Sequence, residues 1–156
     1  MRSSVDVHNF LLDGDVPHEL SALPGPLRDL ADAPEVLGLP PAAVARPLVL
    51  ADAEGPVLVL APAKAEFDRP GIGALLRRPA LEPIAADQSP DLTGYLLPFV
   101  PPVGLACDAE VLIDDQVAEQ DVVYTAAGEP DKVLKVRGCD LVKATNALVF
   151  RVTRPG

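Results

Sequence analysis

Apolar residues recur along this chain in two patterns, as short continuous runs and as stretches with helical spacing. Two continuous runs, Arg46–Ala51 and Val57–Pro62, flank a turn at residues 52–55 that contains Gly55. Runs rich in Val and Leu around a short polar turn predict a β-hairpin. The other strand-like segments are Pro17–Leu23, Leu81–Ala85, Glu110–Ile113, Val122–Ala126, Val133–Val136 and Leu148–Val152.

Helical spacing appears between these runs. Ser3 precedes an amphipathic stretch that ends near Gly14, and Asp6 lies three positions after it, so Ser3 is the predicted N-cap. Leu27–Leu37 is also helical in pattern, with a break expected at Pro34. Further helices or helical turns are predicted for Pro40–Ala45, Phe67–Arg78, Asp87–Leu92 and Cys139–Ala144. Irregular interleaving of helices and strands favours an α+β fold with a mixed sheet over a doubly wound parallel sheet.

One apolar segment fits neither pattern. Leu97–Gly104 contains three prolines and a glycine. Proline lacks the N–H that a central strand needs, so the segment is predicted to be a rigid apolar loop. A loop of this kind packs against the core or lines a pocket.

The length of the chain, its N-terminal sequence and its cysteines limit the class of protein. The chain has 156 residues, which fits a single domain spanning 1–156. Its N-terminus lacks a long apolar run, and no segment reaches the roughly 18 apolar residues of a membrane span. Its two cysteines, Cys107 and Cys139, are too few for a disulfide framework. We expect a soluble cytoplasmic domain with reduced thiols and no membrane partner.

Familiar catalytic motifs are absent. The sequence has no phosphate-binding loop, dinucleotide fingerprint, zinc-protease helix, CxxC pair or nucleophile elbow, so neither a cofactor nor a metal is expected. His8 and His18 do not have the spacing of a ligand pair. Cys139 is expected to be a buried structural thiol. For Asp114 and Asp115, which follow a predicted strand, a helix N-cap is favoured over a catalytic role.

Charge is unevenly distributed. The formal net charge of −10 excludes a protein that coats nucleic acid, because such binding depends on Lys and Arg. Residues 131–156 nevertheless hold six basic and two acidic side chains. This basic segment is either an anion-binding face or ordinary solubilising charge on the last strands.

Several short motifs occur in a fixed order along the chain: Ala45–Leu50, Val57–Pro62, Leu92–Tyr95, Val103–Leu105, Val111–Asp114, Cys139–Leu141 and Ala144. Their order resembles that of the YbaK/ProX family of aminoacyl-tRNA deacylases, relatives of the editing domain of bacterial prolyl-tRNA synthetase. The resemblance implies one α+β domain with a mixed, barrel-like sheet flanked by helices. It also implies metal-free hydrolysis of the ester that joins Ala or Cys to a mischarged tRNA, commonly tRNA(Pro).

The resemblance also suggests site residues. Arg46 occupies the position of a family lysine and would orient the terminal adenosine or its phosphate. Gly104 would supply a backbone donor, and Asp131 lies near a family acidic position. Substrate contacts are expected from the loop region and from basic residues that would hold the acceptor stem: Tyr95, Phe99, Val100, Pro102 and Val103, with Lys132, Lys135, Arg137 and Lys143.

Two departures from the family pattern leave alternatives open. Arg46 replaces the lysine, and Pro98 and Phe99 replace two glycines of the family loop. The first hypothesis is a freestanding trans-editing hydrolase that binds the acceptor end of mischarged tRNA, with an aminoacyl-tRNA synthetase as a further partner. The second is a catalytically degenerate tRNA- or protein-binding module of the same fold. The third, a small-molecule hydrolase, depends only on the pocket-like proline loop.

Overall fold

The structure is a computed structural model that describes residues 1–155. The helices within this range are α1 (Ser4–Asp13), α2 (Ala33–Leu37), α3 (Arg69–Leu76), α4 (Ser89–Thr93), α5 (Asp115–Ala118) and α6 (Gly138–Thr145). The strands are β1 (His18–Ala22), β2 (Ala45–Asp52), β3 (Gly55–Pro62), β4 (Glu82–Pro83), β5 (Glu110–Asp114), β6 (Val122–Ala126), β7 (Lys132–Arg137) and β8 (Leu148–Phe150). None of these helices is long and apolar enough to cross a membrane.

The strands of residues 1–155 form two sheets, with the orders β1-β7-β6 and β4-β2-β3-β5-β8. In the larger sheet, β2 pairs antiparallel with β3, whereas β3–β5 and β5–β8 are parallel pairs. The α+β class and the mixed sheet are therefore confirmed. The expectation of a barrel-like sheet is wrong, because the two sheets do not close on each other. They meet at an isolated bridge between Val44 and Tyr124.

The main core lies between the two sheets. It combines Val49 and Leu58 of the larger sheet with Val123 and Leu134 of the smaller one, all almost fully buried. Alternation along β2 sends Ala45 and Val49 into this core. The opposite face of the larger sheet forms a second apolar cluster, which includes Leu50, Val59 and Ala61 from the sheet and Ile72 from α3.

A third cluster holds the predicted proline loop in place. Phe99 packs there with Leu30, Val44 and Ala63. Val100 and Val103, from the same loop, enter the main core instead. The expectation that this apolar loop packs against the core is confirmed.

Some predicted boundaries differ from the observed ones. Leu27–Leu37 is split into a 3₁₀ turn at Leu30–Asp32 and helix α2, with Pro34 in the first turn of α2. The last strand ends at Phe150 rather than Val152 because the Val152 amide donates a hydrogen bond to Asp114 Oδ2 at 2.9 Å. Asp114 caps α5, as predicted. Cys139 is exposed, so its expected burial is wrong.

Candidate functional site

Arg46 lies near the start of β2 and is half-buried. Its guanidinium carbon lies 4.7 Å from the centroid of the Phe67 ring, and its Nη2 donates a 2.7 Å hydrogen bond to the Ala65 carbonyl. A cation stacked on an aromatic face is attracted by the ring quadrupole and loses freedom of orientation. These two contacts therefore hold the guanidinium in one direction.

The charge of Arg46 is not neutralised by the surrounding chain. None of the carboxylates in residues 1–155 forms an ion pair with it. Its Nε is buried and has no hydrogen-bond partner within the described residues. A buried donor without an acceptor is costly, and native structures contain few of them. An oriented arginine with free N–H groups is suited to bind a phosphate or carboxylate.

A depression of about 450 Å³ includes Ala65, whose carbonyl binds the Arg46 guanidinium, in its wall. Polar and charged side chains dominate the rest of the lining. They are Lys64, Glu66, Gln116, Arg151, Thr153 and Arg154. We call this depression the C-terminal basin, because residues 151–155 form one of its walls.

The buried carboxylate of Asp114 organises that wall. Asp114 is fully buried, and its oxygens accept hydrogen bonds from the Gln116 and Val152 amides, both at 2.9 Å. The Gln116 side-chain amide and the Thr153 hydroxyl donate two further bonds to Asp114, at 3.0 and 3.1 Å. Charge-assisted bonds of this kind are stronger than neutral ones. Asp114 therefore ties the C-terminal segment to α5, and it has no path to a substrate in this position.

Gly104 lies on the other side of the larger sheet. Its carbonyl accepts bonds from the Tyr95 hydroxyl at 2.7 Å and from Arg2 Nη1 at 3.1 Å. Tyr95 is fully buried in the main core, on the sheet face to which Val49 points. Arg46 points to the opposite face, because it alternates with Ala45 along β2. The structure therefore does not bring Arg46 and Gly104 into one cleft.

Burial also determines the chemistry of Tyr95. Desolvation, together with the nearby negative charge of Asp6, raises the pKa of Tyr95 to about 12. The phenol is neutral at physiological pH, and its hydroxyl is already bonded to Gly104. The expected substrate contact of Tyr95 is not available in this arrangement.

The loop residues divide between two apolar clusters. Phe99 packs in the third cluster with Val44 and Ala63, which directly flank β2 and β3. Val100 and Val103 have their side chains in the main core. Pro102, Val103 and Gly104 also line a separate depression of about 280 Å³. Phe99 is the predicted loop contact that packs outside the main core, in the cluster that contains Val44.

Cys107 belongs to that separate depression. Burial, with a smaller contribution from Asp108, raises the pKa of the Cys107 thiol. A thiol with a raised pKa is less ionised and is a poor nucleophile. This depression therefore lacks an activated thiolate.

The predicted basic contacts do not converge on Arg46. Lys132 Nζ lies 3.3 Å from Ser4 Oγ and 3.5 Å from a Glu129 carboxylate oxygen. Lys135 lies on the opposite face of β7 and pairs with Glu19 at 3.5 Å. Exposed positions are occupied by Asp131, Arg137 and Lys143. The carbonyl of Asp131 accepts a bond from the Leu23 amide at 2.7 Å.

Two groupings were not expected from the sequence. His8 Nδ1 and His18 Nε2 lie 2.9 Å apart, because α1 packs beside β1. Among residues 1–155, no set of three His, Cys, Asp or Glu side chains is placed to hold a metal ion. The C-terminal basin is the second grouping. In the sequence it is indicated by Asp114, the predicted N-cap, because the second carboxylate oxygen of Asp114 accepts a hydrogen bond from the Val152 amide.

Comparisons with known proteins agree with the fold. The sequence profile of the aminoacyl-tRNA editing domain matches residues 25–144. A crystal structure of the hypothetical protein APE2540 gives a TM-score of 0.88 at 25% identity, covering 96% of this chain and 99% of that one. No curated protein matches the sequence.

Two further solved structures show similarity in fold alone. A protein described as a candidate trans-editing enzyme for prolyl tRNA synthetase has a TM-score of 0.88 at 23% identity, covering 99% of both chains. A candidate signal transduction protein from Marinobacter aquaeolei VT8 has a TM-score of 0.70 at 18% identity, and the match covers 97% of this chain but 31% of that one. Because the editing-domain profile spans most of the sequence, this chain belongs to the aminoacyl-tRNA editing domain family.

Proposed function

We propose that this protein hydrolyses the ester bond between a wrong amino acid and the 3′ end of a tRNA, acting as a freestanding editing enzyme. Membership of the editing-domain family supports the reaction class. The observation that carries the proposal is Arg46, which is oriented by Phe67 and Ala65 and has no carboxylate partner among the described residues. We further propose alanine or cysteine on tRNA(Pro) as the substrate, in the cytoplasm and with a synthetase as a further partner.

In the proposed reaction, a water oxygen adds to the ester carbonyl carbon, and the bond from that carbon to the ribose oxygen breaks. The ribose oxygen takes a proton, and the free amino acid leaves. Arginine keeps its proton at all physiological pH values, so Arg46 cannot act as a general base. Its role is to bind the terminal phosphate or adenosine and thereby hold the ester in a fixed position.

Selection of a small amino acid against proline requires an apolar contact near the ester. Phe99, which packs in one cluster with Val44, two positions before Arg46, is the side chain that we propose for this contact. A difference of one methylene group contributes only about 1–3 kcal/mol to discrimination. We therefore expect measurable but incomplete rejection of Pro-tRNA(Pro).

The first test compares Arg46→Ala and Arg46→Lys with the unmodified protein. Removal of a positioned charged donor lowers rates by roughly 10²–10³-fold, so we expect Arg46→Ala to lose most activity. Arg46→Lys keeps the positive charge and is expected to retain part of the deacylation activity. Residual acylation of Ala-tRNA(Pro) and Cys-tRNA(Pro) is followed over time, with Pro-tRNA(Pro) as the competing substrate. Arg69→Ala, a change at an exposed arginine that pairs with Glu82, is the control.

The editing proposal fails if the unmodified protein removes no amino acid faster than spontaneous hydrolysis from any mischarged tRNA. The role assigned to Arg46 fails if Arg69→Ala and Arg46→Ala reduce the rate equally, because the effect would then come from a general reduction in positive charge. Circular dichroism of each variant checks that the fold is intact.

One observation favours a second candidate, a tRNA-binding module without catalysis. Pro98 has no N–H group, and the Phe99 N–H donates a 2.9 Å bond to the Leu96 carbonyl. Neither residue can therefore donate a backbone hydrogen bond to a developing oxyanion in this conformation. The second candidate predicts salt-sensitive tRNA binding with no deacylation, and a gain of activity in Arg46→Lys would favour it.

A further inference from the structure

The C-terminal segment at residues 151–155 forms a wall of the basin beside Arg46 and lies beyond the residues matched by the editing-domain profile. Its position is fixed by several contacts. The Arg154 amide donates to the Glu66 carbonyl at 2.9 Å, and Thr153 forms an isolated bridge with Phe67. The segment is thus an integral part of the folded domain.

Arg46 and Arg154 both contact the short segment at residues 65–67. Arg46 binds the Ala65 carbonyl through its side chain, and Arg154 binds the Glu66 carbonyl through its backbone. Phe67, the next residue, stacks on Arg46 and pairs with Thr153. Residues 65–67 therefore link the Arg46 guanidinium to the base of Arg154.

The lining of the basin has a local excess of positive charge. It includes Lys64, Arg151 and Arg154 but one acidic side chain, Glu66. Arg154 is exposed and has no carboxylate partner within residues 1–155. A cationic patch on a chain with a net charge of −10 is a local anion-binding feature.

Two of these cations are already paired with surface carboxylates. Arg151 binds both oxygens of Asp115, at 2.6 and 3.3 Å, with 58% of its side chain exposed, and Lys64 binds Glu35 at 2.9 Å with 45% exposed. Lys64 can exchange its screened surface contact for a phosphate, and Arg151 retains N–H groups that Asp115 does not occupy. The positive charge available to a ligand is therefore greater than that of Arg154 alone.

We propose that Arg151, Arg154 and Lys64 bind successive phosphates of the unpaired 3′ end of a tRNA and guide its terminal nucleotide to Arg46. The inference rests on the proposed editing function and assigns the RNA to the C-terminal basin rather than to Lys135 and Arg137. Several separate cations beside one oriented arginine suit a chain of phosphates better than a single small anion. An unpaired strand also follows a concave wall more easily than a duplex does.

The test measures binding of uncharged tRNA(Pro) over a series of salt concentrations by fluorescence anisotropy. For single strands, the slope of log K against log[salt] changes by roughly 0.7 for each phosphate that the protein no longer neutralises. The double variant R151Q/R154Q is expected to lower that slope by about 1.4 and to weaken binding at least tenfold at low salt. Arg28→Gln, a change at an exposed arginine that does not line the basin, is the control that is expected to leave the slope unchanged.

A second RNA, identical but lacking the unpaired 3′ nucleotides, identifies the bound part. The unmodified protein should bind it more weakly, and R151Q/R154Q should bind both RNAs with the same affinity. The inference is overturned if K135Q/R137Q lowers the slope while R151Q/R154Q does not, because the RNA would then lie on the smaller sheet. Equal binding of both RNAs by the unmodified protein, or binding of an acidic peptide in place of RNA, would also overturn it.

The two proposals can fail separately, because binding of uncharged tRNA requires no hydrolysis. Deacylation with an unchanged slope in R151Q/R154Q would leave editing in place and reject the basin as the RNA site. Binding that depends on the 3′ end and on Arg151 and Arg154, without deacylation, would support the basin and the non-catalytic alternative. Thermal melting of R151Q/R154Q checks that removal of the Arg151–Asp115 pair has not unfolded the protein.

Discussion

Arg46 and Gly104 are two residues whose relative position in the fold differs from the one that the sequence predicts. The order of motifs predicts one site for both, yet they lie on opposite sides of the larger sheet. Strand alternation determines this separation, because Ala45 and Val49 enter the main core and Arg46 points the other way. The alternation is visible in the sequence, but the side of the sheet on which the loop packs depends on long-range contacts.

The buried phenol of Tyr95 gives a prediction for alkaline stability. Its pKa in the folded protein is about 12, above the usual value of 10.0, so the folded state retains the phenolic proton in this interval. Stability from the neutral phenol is present below about pH 10 and is lost as the pH rises through about 12. The loss amounts to about 3 kcal/mol of unfolding free energy.

Urea unfolding of the unmodified protein and of Tyr95→Phe, between about pH 9 and about pH 12, measures this effect. At the lower pH, Tyr95→Phe should be less stable by about 1 kcal/mol, because the hydrogen bond to Gly104 is missing. The difference in unfolding free energy between the two proteins should shrink and then reverse as the pH rises. Parallel stability curves would show that Tyr95 does not titrate with a raised pKa.

At the scale of elements, local signals were sufficient for the hairpin but not for the ends of other strands. The β2–β3 hairpin was predicted nearly to the residue, since its runs and its turn are adjacent in sequence. The strand predicted for Leu148–Val152 is shorter, because Val152 bonds to a carboxylate rather than to a neighbouring strand. A hydrogen bond between residues 38 positions apart leaves no local pattern in the sequence.

Asp114 gives a prediction at this scale, because one carboxylate connects β5, α5 and the C-terminal wall of the basin. Asp114→Ala leaves the amides of Gln116 and Val152 and the Thr153 hydroxyl without their acceptor. We expect a decrease of about 2–4 kcal/mol in unfolding free energy. Hydrogen exchange should accelerate most at residues 152–154, as the wall separates from α5.

Asp115→Ala is the control, since its half-buried carboxylate pairs with the exposed side chain of Arg151. It should change stability by less than about 1 kcal/mol. A uniform increase in exchange over the whole chain in Asp114→Ala would show that Asp114 supports the fold generally and does not hold this segment specifically.

At the scale of the whole molecule, the two sheets share one core, and we expect them to behave as one domain. The smaller sheet pairs β1 near the N-terminus with β7 near the C-terminus, for example His18 with Val136. A pairing so distant in sequence leaves no periodic signal, which is why the sequence predicted the strands but not their division into two sheets. The family resemblance correctly implied the fold class, although it also implied a closed sheet.

The junction between the sheets provides the last prediction. The Thr125 hydroxyl of β6 donates a 2.9 Å bond to the Ala45 carbonyl of β2, in a fully buried position beside the Val44–Tyr124 bridge. Thr125→Val keeps the shape but leaves that carbonyl unsatisfied, which costs about 1–3 kcal/mol. Because Val123 and Leu134 pack directly with Val49 and Leu58, the sheets should still unfold together.

Urea unfolding followed by far-UV circular dichroism and by tyrosine fluorescence tests this expectation, since the chain has two tyrosines and no tryptophan. Tyr95 reports on the main core, and Tyr124 reports on the smaller sheet. In Thr125→Val, both signals should move to the same lower midpoint with an unchanged m-value. Two separated transitions would mean that the sheets are independent units, and the basin on the larger sheet would then not depend on the smaller one.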